Sequence, residues 1–377
     1  MSVFTKQDLQ PLDLVLWLLP GLGQRRLNKL TAHWGQDPKT LLEAARHLPG
    51  LTAKTRDLIE IALHDPWRLP FADRLEAHLE WQTQPGHWLL PLRSLPLLLQ
   101  ELPDPPWLLC LKGTPELLEG PNLAVVGSRR LSPEGRHLAF QWSHWLSWQG
   151  MNLVSGLARG VDGQAHQGAL QAVTEGATGQ TLAVLAHGMD YLYPREHEGL
   201  AAQICERGGA LMTEYPLGSP PLAGQFPKRN RIITGLSLGT LVVEATLKSG
   251  SLVSARLAME QGREVMAIPG SVRRQQSAGC HQLIRQGAAL VTSPEEVLQE
   301  LSQPLRACLE SSTAEKSEAN LPERLQSIYC LITDIPISLD QLLEDSGLEA
   351  AKCMQLLQEL ELEGCVEQLP GGWCRST

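Results

Sequence analysis

Leu123-Ala-Val-Val-Gly-Ser-Arg129 decides the fold. Four apolar residues form a strand buried on both faces, a glycine ends it, and Ser132-Pro133 opens a helix as N-cap and first helical residue. The same grammar recurs along the chain. Apolar runs at Trp107–Lys112, Asn152–Val154, Thr181–Leu185, Ala210–Glu214, Thr240–Val243, Glu264–Ile268 and Ala289–Val291 read as strands. Helical periodicity fills the gaps, for example over 133–149, 160–173, 195–207 and 249–261. Apolar strands alternating with helices predict a doubly wound, mostly parallel, Rossmann-like α/β sheet over residues 82–302, with a Pro-rich entry before Trp107.

The flanks differ from this centre. Residues 1–81 read as short helices containing two similar stretches, Leu18–Leu30 and Leu48–Ile59, each a helix end, a Pro-Gly turn and a new helix. That is a helix-hairpin-helix (SAM-like) domain, and the first copy, with Arg25, Arg26 and Lys29, is the better phosphate candidate. Loss of phosphate contact, leaving a packing module, is the competing reading. Residues 303–320 are polar and aperiodic, as in a flexible linker. Residues 321–377 follow winged-helix order: a helix, 338–345, 348–363 and a hairpin to Trp373. Its recognition helix offers Glu349, Glu359, Glu361 and Glu363 against Lys352, which disfavours reading of a duplex groove and favours protein docking.

Composition bounds the function. The chain of 377 residues has net charge -9, but the charge is uneven. Residues 122–300 hold 15 Lys and Arg against 14 Asp and Glu, whereas 322–377 hold 3 against 10. The centre is therefore free to bind a polyanion through a local patch. Eight scattered cysteines without a Cys-x-x-Cys pair predict neither a disulfide framework nor zinc. Absence of a transmembrane-length apolar run and of a secretory signal predicts a cytoplasmic protein. No phosphate-binding Gly-x-x-x-x-Gly-Lys loop and no Gly-x-Gly-x-x-Gly is present, so neither ATP nor NAD chemistry is supported and no cofactor is expected.

In a parallel sheet, ligands bind beyond the carboxyl ends of the strands. Four turns should gather there. Gly127-Ser128-Arg129 offers backbone amides and a cation. Ser155–Asp162 adds Arg159, with Asp162 at a helix start. Phe226-Pro-Lys228-Arg229-Asn230-Arg231 sets three cations beside an aromatic ring, and no acidic residue lies between Glu214 and Glu244. Glu244 and Lys248-Ser-Gly250-Ser complete the set, the carboxylate serving as orienter or as a catalytic group of a nucleotide-cleaving relative. Cations beside a stacking ring suit a single strand, phosphates meeting the charges and an unstacked base meeting the ring. His166 and His187 could line the cleft, although isolated histidines are more often structural. No nucleophile–base pair or metal-ligand spacing stands out, so no catalytic and no metal residue is assigned.

These elements together resemble the DprA/Smf family of DNA-processing proteins. The matching stretches are Val125–Arg129, Ser155–Asp162, Tyr193-Pro194, Thr213–Pro216, Phe226–Ser237, Val242–Ala245, Lys248–Leu252, Ile268–Gly270, Leu283-Ile284 and Gly287-Ala288. The resemblance covers roughly residues 82–300, and the flanking helical and winged-helix domains also occur in the family. It implies a non-enzymatic homodimer that binds and shields single-stranded DNA and loads RecA during natural transformation and recombination. By motif position the DNA contacts would be Arg129, Arg159, Phe226, Lys228, Arg229, Asn230, Arg231 and Lys248, with Gly127, Ser128 and Gly250 allowing close backbone approach. Asp162 and Glu244 would support the cleft. His197 and His281 stand where Asn is frequent in the family. The alternative is an enzyme of a related fold, a nucleotide phosphoribohydrolase using Glu244 and Arg159, although the Pro-Gly-Gly-x-Gly-Thr loop of that family is absent.

Overall fold

Helices and strands alternate from Asn122 onward, as the periodicity predicts. The computed structural model describes residues 4–306, 323–329, 331–332, 337–346, 348, 350–362, 366–369 and 372–375. Most of the expected linker therefore lies outside the described residues, as do Glu349 and Glu363 of the expected recognition helix.

Nine strands form one sheet: β1 (His87–Pro91), β2 (Leu108–Gly113), β3 (Asn122–Val126), β4 (Asn152–Ser155), β5 (Thr181–Val184), β6 (Ala210–Thr213), β7 (Gly239–Val242), β8 (Glu264–Ala267) and β9 (Ala289–Leu290). Their order is β1-β2-β6-β5-β4-β3-β7-β8-β9. The pairs from β6 to β9 in that order are parallel, whereas β2 runs antiparallel to both β1 and β6. The chain winds outward from β3 to β6 and then returns to β7 beside β3. That reversal is the topological switch point, where α/β sheets bind ligands. Strands β3 to β7 are buried throughout, which explains their near-continuous apolar sequence.

β1 is the strand that the Pro-rich reading of residues 82–107 hides. It pairs residue by residue with β2, from His87 opposite Lys112 to Pro91 opposite Leu108. An edge strand leaves one row of amides unpaired, so it accommodates the terminal proline.

The helices are α1 (Pro11–Leu18), α2 (Gln24–Trp34), α3 (Pro38–Ala45), α4 (Ala53–His64), α5 (Ala72–Thr83), α6 (Leu97–Gln100), α7 (Pro133–Trp148), α8 (Val161–Thr174), α9 (Glu198–Glu206), α10 (Gln225–Gly235), α11 (Ser251–Glu260), α12 (Ala278–Arg285) and α13 (Pro294–Glu300). Two compact units emerge, one extending to Leu305 and one beginning at Arg306. The N-terminal helices thus share a unit with the sheet, and one continuous core runs from Leu14 and Leu41 through Trp107 to Val154 and Val242. A polar clamp reinforces the junction. Fully buried Asp13 accepts from Arg93 at 2.8 and 2.6 Å, and its carbonyl accepts from the Trp107 indole at 3.0 Å. In the helix-hairpin-helix segment, half-buried Arg26 donates to the carbonyls of Gly21 and Gly50, the two turn glycines.

The second unit is a winged-helix domain. It contains α14 (Glu323–Tyr329), α15 (Leu339–Ser346), α16 (Ala350–Leu362) and the hairpin of β10 (Val366–Leu369) with β11 (Gly372–Arg375). Its separate core includes Ile328, Leu342, Leu357, Leu360, Val366 and Trp373. Among the described residues, no helix is long and apolar enough to cross a membrane.

Candidate nucleic-acid interface

The carboxyl ends of β3 and β7 are stitched together. The Ser128 amide donates to the Glu244 carbonyl at 2.7 Å, and the Ser128 carbonyl accepts from the Val161 amide at 3.2 Å. Ser128 Oγ accepts from the Arg130 amide at 3.1 Å. These amides serve the loop itself, so Ser128, 9% exposed, does not offer its N–H to a phosphate as the sequence reading expects. Gly127 likewise answers to packing. A Cβ there would stand 2.4 Å from Val161 and 2.9 Å from the Glu244 carbonyl. Glu244 is an internal acceptor. Its carboxylate takes the Ser132 amide at 3.1 Å and the Ser132 hydroxyl, while Ser132 Oγ caps α7 by accepting from the Gly135 amide at 2.9 Å.

The β4 end is closed by Asp162, which accepts from the amides of Gly156 and Ala158 at 3.1 and 3.3 Å. Gly160 completes this turn at φ +84°, packed so closely on Ser128 that a side chain would collide with its carbonyl. Burial raises the Asp162 pKa, and nearby Arg229 opposes that shift.

Phe226–Arg231 is not a loop. It forms the first two turns of α10. This sorts its side chains by face. Lys228 is exposed, Phe226 and Asn230 are half-buried, and Arg229 and Arg231 are 3% and 9% exposed. Arg229 donates to the carbonyls of Gly156 and Val184, tying α10 to the ends of β4 and β5. Burial pulls its guanidinium down to about 10. Gly156 must lack a side chain here, since a Cβ would lie 2.4 Å from that guanidinium. Arg231 pairs with Glu214 and, at 3.3 Å, with Asp104. The expected direct phosphate contacts from Arg229 and Arg231 are therefore corrected to internal supports. The helical register explains it: Arg229 lies three and four residues before the buried Ile232 and Ile233, on the same face.

The exposed features converge elsewhere. Arg129 stands over the Phe226 ring, 5.7 Å from its centroid, and Tyr193 meets that ring edge-on at 5.6 Å. Beside them opens a cleft of about 230 Å³, lined in part by Arg129, Arg136, Arg159, Gln164, Glu196 and His197. Arg159 is held there by a two-pronged contact to Glu196 at 2.6 and 2.7 Å. Lys248 and Gly250 are exposed in the turn before α11 and do not line this cleft. Arg136 escaped the sequence reading. Its signal was its place on α7, one turn after Ser132, which points it along the same rim as Arg129.

The other polar candidates resolve as structural. His166 and His187 are buried, at 0% and 1% exposure, and desolvation lowers the pKa of each. His197 engages the Leu157 carbonyl at 2.8 Å, and His281 that of Gly270 at 2.9 Å. Among the described residues, no group of three or more His, Cys, Asp or Glu side chains could hold a metal ion.

Comparison with known proteins gives the family. Residues 90–302 match the family model described as DNA recombination-mediator protein A. The chain belongs to that family. Residues 312–372 match the DprA winged helix domain. Protein Smf of Escherichia coli is 42% identical over 306 residues, 80% of each chain. DNA processing protein DprA of Streptococcus pneumoniae is 43% identical over 227 residues, 60% of this chain and 78% of that one. A crystal structure of the S. pneumoniae protein superposes with a TM-score of 0.63 at 33% identity, covering 78% of this chain and 98% of that one. DNA processing protein A of Helicobacter pylori, whose structure is described for its single-stranded DNA binding mode, gives a TM-score of 0.50 at 29% identity, covering 56% and 94%.

Proposed function

We propose that this protein binds single-stranded DNA across the mouth of the switch-point cleft, without catalysis, and mediates recombination by loading RecA on the bound strand. The observation that carries the reading is the grouping of Arg129, Phe226 and Tyr193 beside a cleft bearing Arg136 and Arg159. A base stacks on an aromatic ring regardless of its identity, while exposed guanidinium and ammonium groups follow the phosphates. Arg129, Arg136, Lys228 and Lys248 are the charge contacts, Phe226 is the stacking platform, and Asn230 supplies an amide. Arg159 joins them when it exchanges Glu196 for a phosphate. Gly250 leaves its turn open to close approach, since a Cβ there would meet nothing within 4 Å. Gly127, Ser128, Asp162, Arg229, Arg231 and Glu244 hold the strand-end turns and α10 in place from within.

The non-enzymatic part of the proposal rests on Glu244. A phosphoribohydrolase would need this carboxylate free to act on a sugar, whereas here it accepts both hydrogen bonds from Ser132. The family's description as a recombination mediator supports RecA as partner. A homodimer working in the cytoplasm completes the reading.

Binding of a fluorescent oligo-dT, compared with matched duplex at two salt concentrations, tests it. Preference for the single strand, weakening with salt, is expected. Equal affinity for duplex, or release of free base from nucleoside monophosphates, would contradict it.

A further inference from the structure

Two acidic residues join the N-terminal helices to α10. Glu214, at the end of β6, receives the Arg231 guanidinium on its side chain, and its carbonyl accepts from the Trp17 indole of α1 at 3.1 Å. Asp104 receives Arg231 Nε on one oxygen, at 3.3 Å, and Asn28 of α2 on the other, at 2.5 Å. Gln24 extends the second link by bonding Asn28 at 2.9 Å and the carbonyl of Pro105. His78 of α5 extends the first. It packs edge-on against Trp17 with ring centroids 5.2 Å apart, and its Nε2 accepts from the Leu217 amide at 3.0 Å.

Arg231 is the only described side chain bonded to both carboxylates. Its guanidinium is buried and its Nη1 has no partner among the described residues. Burial penalises Glu214 and raises its pKa, and the adjoining Arg231 opposes the shift. The Arg231 and Glu214 side chains are each 11% exposed, so separating them would leave two charges unpaired in a dry setting, while the half-exposed Asp104 adds a second anchor on Arg231 Nε. Arg231 is one residue from Asn230 and three from Lys228 on the same helix. The register of that helix determines where its exposed face meets a strand.

We propose that the N-terminal helices position the DNA-bearing face of α10, with Arg231 as the positioning residue, Trp17 holding the Glu214 backbone through its carbonyl and Asn28 holding the Asp104 carboxylate. The role of these helices is then to brace the interface rather than to contact phosphate. This rests on the single-strand reading of α10 given above.

The test uses the full-length protein, oligo-dT and fluorescence anisotropy across a salt series. Trp17→Phe keeps an aromatic ring, although a smaller one, and removes the indole N–H; Asn28→Ala releases Asp104. Neither touches the exposed face of α10. Each is expected to weaken binding on the order of threefold to tenfold, with the salt slope unchanged because every phosphate-binding cation is still in place. Lys228→Ala should weaken binding and flatten the slope by about 0.7. Arg231→Lys keeps the charge but cannot bridge both carboxylates, so adding Asn28→Ala to it should produce no further loss. A merely structural role would give additive losses. Folded Trp17→Phe and Asn28→Ala proteins with wild-type affinity overturn the proposal, as does a flattened slope in either, which would make the N-terminal helices direct contacts. If Lys228→Ala itself binds as wild type, the single-strand reading of α10 fails and takes this inference with it.

Discussion

The Arg129 guanidinium lies 5.7 Å from the centroid of the Phe226 ring, joining the turn after β3 to the first turn of α10. A cation over an aromatic face fixes the ring and places a phosphate-seeking charge beside a stacking surface. If a base stacks on this ring, Phe226→Ala should cost about 1–3 kcal/mol of single-strand affinity, while Phe226→Trp should bind at least as well. Anisotropy titrations with oligo-dT check both. Wild-type affinity in the alanine variant would remove Phe226 from the interface.

Exposed and buried cations should behave differently. Alanine at Arg129, Lys228 or Lys248 should leave folding intact and flatten the salt dependence by about 0.7 for each phosphate left without its cation. Arg229→Ala should act on stability. It deletes the bonds to Gly156 and Val184 and leaves Asp162 without its compensating charge, a change expected to cost about 3–5 kcal/mol. Urea unfolding separates the classes. A stable Arg229→Ala protein with a flattened salt slope would restore Arg229 as a direct contact.

If Arg159 takes a phosphate of the strand, Glu196 competes for it. The pair is exposed on both sides, with side-chain exposures of 64% and 49%, so it is easily exchanged. Glu196→Gln should therefore tighten oligo-dT binding a few-fold, most clearly at low salt, where exposed charges are least screened. In an Arg159→Ala background the gain should shrink. Equal gains in both backgrounds would mean that Glu196 acts through general repulsion alone.

Acid should destabilise the protein through His166. Thr181 gives its hydroxyl proton to the Leu153 carbonyl at 2.8 Å, so His166 Nδ1–H donates to Thr181 Oγ at 2.7 Å and Nε2 stays unprotonated, without a partner among the described residues. Burial lowers the His166 pKa from 6.5 to about 3. The unfolded chain then takes up a proton below pH 6.5 that the folded chain refuses until about pH 3. Stability from this group is complete above the upper value and falls through the interval by about 1.4 kcal/mol per pH unit. His78, His87 and His187, also depressed by desolvation, act in the same direction. Urea titrations at several pH values should show a shallower acid slope for His166→Gln by about one proton. An unchanged slope would contradict the buried neutral ring.

The strand ends were legible in the sequence because apolar runs closed by glycine have few other readings. Gly127, Gly156 and Asp162 lie at those ends, although what the glycines admit is protein: Val161 at one and the Arg229 guanidinium at the other. β1 was hidden because prolines, which signal linkers, are also compatible with an edge strand. Charge was the least legible property. Phe226–Arg231 looks uniformly basic as text, and only its helical register turns Arg229 and Arg231 inward. Tyr193 joins Phe226 only through folding, 33 positions away in sequence.

The most direct test of the central claim is to locate the strand itself. Oligo-dT carrying a single 5-iodouracil, cross-linked by light to the full-length protein and mapped by mass spectrometry, reports which side chain a base touches. Adducts at Phe226 or Tyr193 are predicted. Adducts confined to the N-terminal helices or to the winged-helix domain, with none at these two rings, would contradict the account.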